Sequence, residues 1–346
     1  MSTQQIQAEA VARPQPVARP RPRERLLGHI AIARIDHWFK NVFVLPGMVA
    51  AIGVDPHHVA PNIVLRTLFG LASVSLVASS NYVINEVLDA PSDRAHPTKF
   101  ARPVPSGKVS IPLAYVQWIA LMLAGVWLGC QVSRAFSITV AVLWIMGCVY
   151  NIPPLRAKDL PYIDVLCESV NNPLRLLAGW FIAGTASVAP ASLLLSYWMV
   201  GCYFMGMKRF AEYRDIANPK RAAMYRKSFG HYTEERLLVS IMFYGTAAML
   251  FLGAFIMRYR LELVLSFPCV ALVMAMYLLL AFRPNSAVQR PEGLYREPKL
   301  MGAVFGCAMV MGLLMVVDIP VLAWIFTPTA PSITTVVPRV PEELTR

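Results

Sequence analysis

The chain is short of charge. Only 15% of its 346 residues are Asp, Glu, Lys or Arg, and just 20 of those are acidic. Soluble domains average about a quarter charged residues, so a water-facing globule is excluded. Cysteine is sparse as well, with six residues and no C-x-x-C pair, which excludes a zinc ribbon or a dithiol redox centre. All six lie in or beside apolar runs, where cysteine behaves as a small hydrophobe. The six histidines show no zinc spacing either, and His57 and His58 stand apart from every other polar group. The N-terminus has no apolar core and no cleavage site, so it is not a signal peptide.

What is present is apolar sequence, 56% of the chain. Nine runs are long enough, or nearly so, to cross a hydrocarbon layer of about 30 Å. They lie near residues 38–54, 62–85, 112–130, 135–150, 164–187, 191–207, 237–257, 262–282 and 301–326. The pattern predicts an all-α polytopic membrane protein of nine transmembrane helices. Residues 1–28, rich in Pro and Arg, read as a disordered basic tail, 29–326 as the membrane domain, and 327–346 as a flexible end.

Basic residues test that topology. Of the 32 Lys and Arg, 25 fall in the N-terminal segment and the loops that nine spans place on its side. Five fall on the opposite side, and Arg66 and Arg175 lie within spans. The positive-inside rule then predicts a multi-pass protein of the cell (inner) membrane with a cytoplasmic N-terminus. The net charge of +12 belongs to one membrane face, where it attracts lipid headgroups or phosphorylated substrates. No nucleic-acid motif is visible, so no nucleic-acid partner is expected.

Three polar loops on that face gather the chemistry. In the first, Asn85, Asp89 and Asp93 are spaced i, i+4 and i+8, one face of a helix. Carboxylates at a membrane boundary suit Mg²⁺, which binds through one or two carboxylates plus substrate phosphate oxygens. Arg94, Lys99, Arg102 and Lys108 follow as partners for the remaining phosphate charge. Pro91 interrupts the run and predicts that the helix ends near Asp89. The second loop carries Tyr150, Arg156, Lys158 and Asp159. It leads into a span containing Asp164, Glu168, Asn171, Asn172 and Arg175. An arginine at that depth needs a partner or a wet cavity, which points to a helix lining a substrate chamber. The third loop begins Lys208-Arg209-Phe210-Ala211-Glu212 and continues through Arg226, Lys227, Ser228 and Tyr232.

These residues resemble the UbiA superfamily of intramembrane prenyltransferases. Asn85, Asp89 and Asp93 match its N-D-x-x-D-x-x-x-D signature, with Glu86 in place of the usual Asp. The segment from Arg34 to Asn41 is similar to the family's first helix, and Tyr150 through Lys158 resembles its Y-x-x-x-x-K region. Members that use prenyl diphosphates carry a second D-x-x-x-D after the sixth span. Here that place reads Lys208-Arg209-Phe210-Ala211-Glu212, with one carboxylate and two cations. That pattern resembles the decaprenyl-phosphate phosphoribosyltransferase branch.

The resemblance implies nine helices around a central cavity and a Mg²⁺ cofactor held by Asn85, Asp89 and Asp93. It implies a catalytic set of Asp89, Lys158, Arg209 and Glu212. Substrate contacts are expected from Lys40, Asn81, Arg102, Lys108, Tyr150, Asn172, Arg175, Lys208, Arg226 and Lys227. The implied reaction moves 5-phosphoribose from phosphoribosyl pyrophosphate to a polyprenyl phosphate on the cytoplasmic side. Two alternatives stay open: prenyl transfer from a diphosphate to an aromatic or other small acceptor, and a non-enzymatic transporter.

Overall fold

A computed structural model describes residues 21–55, 59–94 and 99–326, without the side chains at 291 and 292. Residues 1–20, His57, His58, His96 and the end from Thr327 lie outside the described residues. No strand occurs among the described residues, and apolar runs become helices throughout.

The first helix, α1 (Pro22–Ile32), begins inside the segment read as a disordered tail. Pro22 suits the first helical position, and Glu24 reaches back to the Arg21 amide at 2.9 Å. His29 then anchors the helix. Its Nδ1 stands 2.8 Å from Gln117 Oε1, and Gln117 returns a bond to the His29 carbonyl. Because His29 Nε2 accepts the Ser110 amide, Nδ1 carries the proton.

A 3₁₀ segment, Ile35–Val44, leads into α2 (Leu45–Val54). The long α3 runs Ile63–Asp93. At about 1.5 Å per residue it measures about 46 Å, so it outreaches a hydrocarbon core of about 30 Å. Its last turns therefore project toward the polar loops. The helix continues through Pro91 rather than ending at Asp89. Only one intrahelical bond is lost there, and Arg94 N–H closes the end on the Ala90 carbonyl.

Next come α4 (Ile111–Cys130) and α5 (Arg134–Asn151), the latter started by Ser133 Oγ accepting the Phe136 amide at 3.1 Å. The fifth apolar run is broken at Val170 into α6 (Ile163–Ser169) and α7 (Asn171–Ile182). Then follow α8 (Ala191–Ile216), α9 (Pro219–Tyr225), α10 (Glu234–Tyr259), α11 (Phe267–Ala281), α12 (Pro298–Leu314) and α13 (Pro320–Ile325).

Among the described residues, six stretches are long and apolar enough to cross a membrane: 22–54, 63–93, 111–130, 134–151, 234–259 and 261–281. The other three of the nine expected spans fall short for visible reasons. The fifth is broken at Val170, α8 carries Lys208, Arg209, Glu212, Arg214 and Asp215, and α12 has 17 residues. Apolar side chains turned outward, such as Leu68, Val116, Leu123, Trp127, Val239 and Leu250, make a surface suited to lipid.

Helix α7 is the hub, touching α2, α3, α5 and α8. Its crossing with α2 is a backbone contact. A Cβ on Gly47 would lie 1.8 Å from the Leu176 carbonyl oxygen, and one on Gly179 would lie 1.8 Å from that of Val44. Membrane helices gain packing this way because lipid offers them no hydrophobic drive to associate. At one end of the molecule Arg66 donates to the Phe181 and Ile182 carbonyls at 2.7 and 2.9 Å, capping α7. The polar loops collect at the other end.

Candidate active site

The last turns of α3 meet the 152–162 loop through Lys158. Its ammonium is buried and donates to Asp89 Oδ1 at 2.5 Å and to Asn85 and Asn151 Oδ1 at 3.0 Å each. All three of its protons are thereby used. Burial lowers the Lys158 pKa from the ordinary lysine value, and the Asp89 carboxylate opposes that shift. Arg156 donates to the same Asp89 oxygen at 2.9 Å and to Asp159 at 3.1 Å. Arg156 holds a left-handed backbone at φ 33°, which is costly for a residue with a Cβ. That turn aims its guanidinium at both acids.

Asp93 is buried beside the following loop and accepts from Arg102 at 2.8 Å. Lys99 lies in the electrostatic reach of Asp93, Arg102, Arg226 and Glu212; burial lowers its pKa and Asp93 opposes this. Its ammonium stands 5.0 Å from the Tyr225 ring centre. Glu86 does not join the acids of its motif. It turns the other way and accepts the Val104 amide at 3.0 Å, holding the 102–109 loop over Val83, Val87 and Ala114.

A second cluster centres on Asp164, which is fully buried. Its Oδ2 accepts from Arg209 Nε at 3.1 Å and from Ser228 Oγ at 3.3 Å, with an Arg226 nitrogen 3.7 Å away. Its Oδ1 accepts the Tyr232 hydroxyl at 2.7 Å. Burial, and then the Asp164 carboxylate, push the Tyr232 phenol above its ordinary pKa, so it stays a donor. The same hydroxyl accepts the amide of Tyr162, a residue held at φ 64°. Arg209 also donates to Glu212 at 3.2 Å. Tyr150 lies within electrostatic reach of Glu168, Arg226, Arg209 and Asp164.

The structure thus brings Asn85, Asp89, Lys158 and Arg156 together, and Arg209, Glu212 and Arg226 around Asp164. Lys227 is exposed and joins the first group only through Asp159, at 3.1 Å. Lys208 is half-buried one residue before Arg209, Lys108 is exposed outside both clusters, and Lys40 stands 3.3 Å from His37. Asn81 and Asn172 are packed between helices, where glycines make room. A Cβ on Gly147 would lie 2.1 Å from the Asn81 side chain, and one on Gly201 would lie 2.1 Å from that of Asn172. Asn81 donates to the Leu143 carbonyl. Arg175 donates to Asn41, deeper along α7.

Residue spacing missed Arg156 and Asp164 as site members. Arg156 depends on an unusual turn conformation. Asp164 carried a signal, an acid entering an apolar span, that a helix N-terminus also explains.

Among the described residues no three His, Cys, Asp or Glu side chains stand close enough to hold a metal by themselves. Both cations on Asp89 share Oδ1, however, which leaves its Oδ2 without a protein partner among the described residues. Asp93 Oδ1 is likewise open. Two open carboxylate oxygens and an amide oxygen are a hard donor set. They fit a divalent ion such as Mg²⁺ that completes its shell with phosphate and water.

The sequence pattern of the UbiA prenyltransferase family matches residues 42–291. The chain belongs to that family. It is similar to the decaprenyl-phosphate phosphoribosyltransferase of Mycolicibacterium smegmatis, 31% identical over 230 residues, 64% of this chain and 68% of that one. The protein of the same name from Mycobacterium tuberculosis is 29% identical over 237 residues, 67% of this chain and 74% of that one. A UbiA homolog from Archaeoglobus fulgidus, solved bound to GPP and Mg²⁺, has the same fold with a TM-score of 0.61. It is 20% identical, and the match covers 81% of this chain and 99% of that chain. This UbiA protein is therefore a multi-pass membrane transferase.

Proposed function

We propose that this UbiA protein moves 5-phosphoribose from phosphoribosyl pyrophosphate to a polyprenyl phosphate, at the cytoplasmic face of the cell membrane. One observation carries the reading. Where diphosphate-using relatives would place a second pair of carboxylates, this chain holds Arg209 buried and fixed between Asp164 and Glu212, with Arg226 beside it. A site for two phosphorylated substrates has more negative charge to balance than a site for one. A fixed cation does this without a second metal. The identity to phosphoribosyltransferases over two thirds of the chain supports the same reading.

Asn85, Asp89 and Asp93 are the residues that would hold Mg²⁺, which when bound neutralises the donor's pyrophosphate and makes it a better leaving group. Lys158 and Arg156 hold Asp89 in place through Oδ1 and present positive charge to the departing pyrophosphate. Arg102 does the same for Asp93, and Lys99 stands beside it. As pyrophosphate leaves, positive charge builds at the ribose carbon, and the lipid phosphate, already an anion, attacks without needing a base. Arg209 and Arg226 are locked before substrate arrives, so their orientation costs nothing during the reaction. Lys208 and Tyr150 flank that cluster and complete the phosphate-binding wall.

The test offers the purified protein, in detergent with Mg²⁺, labelled phosphoribosyl pyrophosphate and a polyprenyl phosphate. In parallel it offers a labelled prenyl diphosphate and aromatic acceptors. Ribose label appearing in the lipid fraction is the expected result. Prenylated aromatic product instead would replace this reading with conventional prenyl transfer.

A further inference from the structure

Two arginines, Arg66 and Arg175, lie within the apolar runs read as spans, and they are treated differently. Arg66 spends its guanidinium on the two last carbonyls of α7. Arg175 makes one hydrogen bond, from Nε to Asn41 Oδ1 at 3.2 Å, and neither terminal nitrogen has a partner among the described residues. No carboxylate answers its charge there, whereas Arg102, Arg156, Lys158 and Arg209 each have one. A half-buried guanidinium without a counter-charge is expensive in a membrane unless an anion visits it.

Its surroundings are built to keep it pointed. Asn41 is buried and donates to Ser75 Oγ at 2.8 Å, so the Asn41 oxygen is fixed before Arg175 meets it. One turn along α3, Ser79 accepts from Trp38 at 2.9 Å, fastening the same 3₁₀ segment. Asn171 stands one turn before Arg175 on the same face of α7, and its Oδ1 is buried with no partner among the described residues. A guanidinium whose two terminal nitrogens have no acceptor thus stands one helical turn from a buried acceptor lacking a donor. Both needs are met by one group with several oxygens and, in its monoanionic form, a hydroxyl proton.

We infer that Arg175, oriented by Asn41 and Ser75, is the seat of a phosphate monoester inside the membrane domain. The inference rests on the transferase reading above, whose two substrates both carry such a group: the lipid acceptor, and C5 of the ribosyl donor. Depth favours the lipid. Ser75 precedes Asp89 by 14 residues on α3, about 21 Å of helix, so one pyrophosphate cannot serve both levels. Side chains on α3 lean toward its N-terminus, so Asp89 leans back toward this level and the sugar fits between the two. The terminal guanidinium nitrogens form a planar fork that matches a phosphate in a way lysine does not.

The test measures binding by calorimetry, in detergent, of farnesyl phosphate, ribose 5-phosphate and, as the uncharged control, farnesol. Arg175→Gln is expected to weaken farnesyl phosphate by about tenfold to a hundredfold, the loss of one charge-assisted contact, and to leave farnesol unchanged. Arg175→Lys keeps the charge and loses the fork, so an intermediate loss is expected. A selective loss for ribose 5-phosphate would keep the monoester seat and assign it to the donor. Unchanged affinity for both phosphates, in variants whose melting and elution match the parent protein, overturns the inference. Farnesyl phosphate binding that depends on Arg175 without any phosphoribosyl transfer would sink the proposed reaction and leave this seat standing.

Discussion

Asp89 and Asp164 are both carboxylates held by arginine at the same end of the molecule, yet they are built for different work. Asp89 is 20% exposed, and its two cations share one oxygen while the other stays open. Asp164 is 0% exposed and uses both oxygens, on Arg209, Ser228 and Tyr232. An acid with an open oxygen at a boundary can take a ligand. An acid with both oxygens engaged and none of its surface exposed can only hold its neighbours. The contrast separates residues that touch substrate from residues that keep the others in position, although both kinds form ion pairs of similar length.

The sharpest way to break the contrast is Asp164→Asn. Removing one partner of a buried pair costs about 3–5 kcal/mol, so thermal unfolding in detergent should show a large loss of stability, with activity falling as a consequence. Asp89→Asn should shift the balance the other way. Turnover should drop about 10²–10³-fold or more, because the lost charge acts on substrate. Asp89 is 20% exposed and asparagine keeps an oxygen toward Lys158 and Arg156, so the melting temperature should fall less than with Asp164→Asn. An equal fall in both variants would erase the distinction. Tyr232→Phe sharpens it further: losing a hydrogen bond to a charged acceptor should cost about 1.5–3 kcal/mol of stability. The smallest effect belongs to Lys227→Met. This side chain is 77% exposed, and its pair with Asp159 should be worth about 0.2–1 kcal/mol, within error of the parent in both assays.

The helical membrane architecture was legible in the sequence because lipid demands long apolar segments, and these stand out whatever their neighbours are. That Asn85 and Asp89 share one face of α3 was also foreshadowed, since i, i+4 spacing fixes a helix face before tertiary structure is known. Loops carry no such rule. Arg156 reaches Asp89 from 67 positions away through a left-handed turn, and Tyr232 reaches Asp164 across 68. Glu86, outside the i, i+4 set, lies on the face of α3 that meets the 102–109 loop. Pro91 misled in the other direction: near the end of a helix its missing hydrogen bond matters little.

Arg66 has a consequence for how the protein is made. Its two acceptors, the Phe181 and Ile182 carbonyls, lie 115 and 116 residues further along the chain. While α3 is being threaded into the membrane, those carbonyls have not yet left the ribosome. The second crossing therefore carries an unanswered cation until the fifth has been delivered beside it. The contact that ties the start of α3 to the end of α7 forms only once both helices are in place.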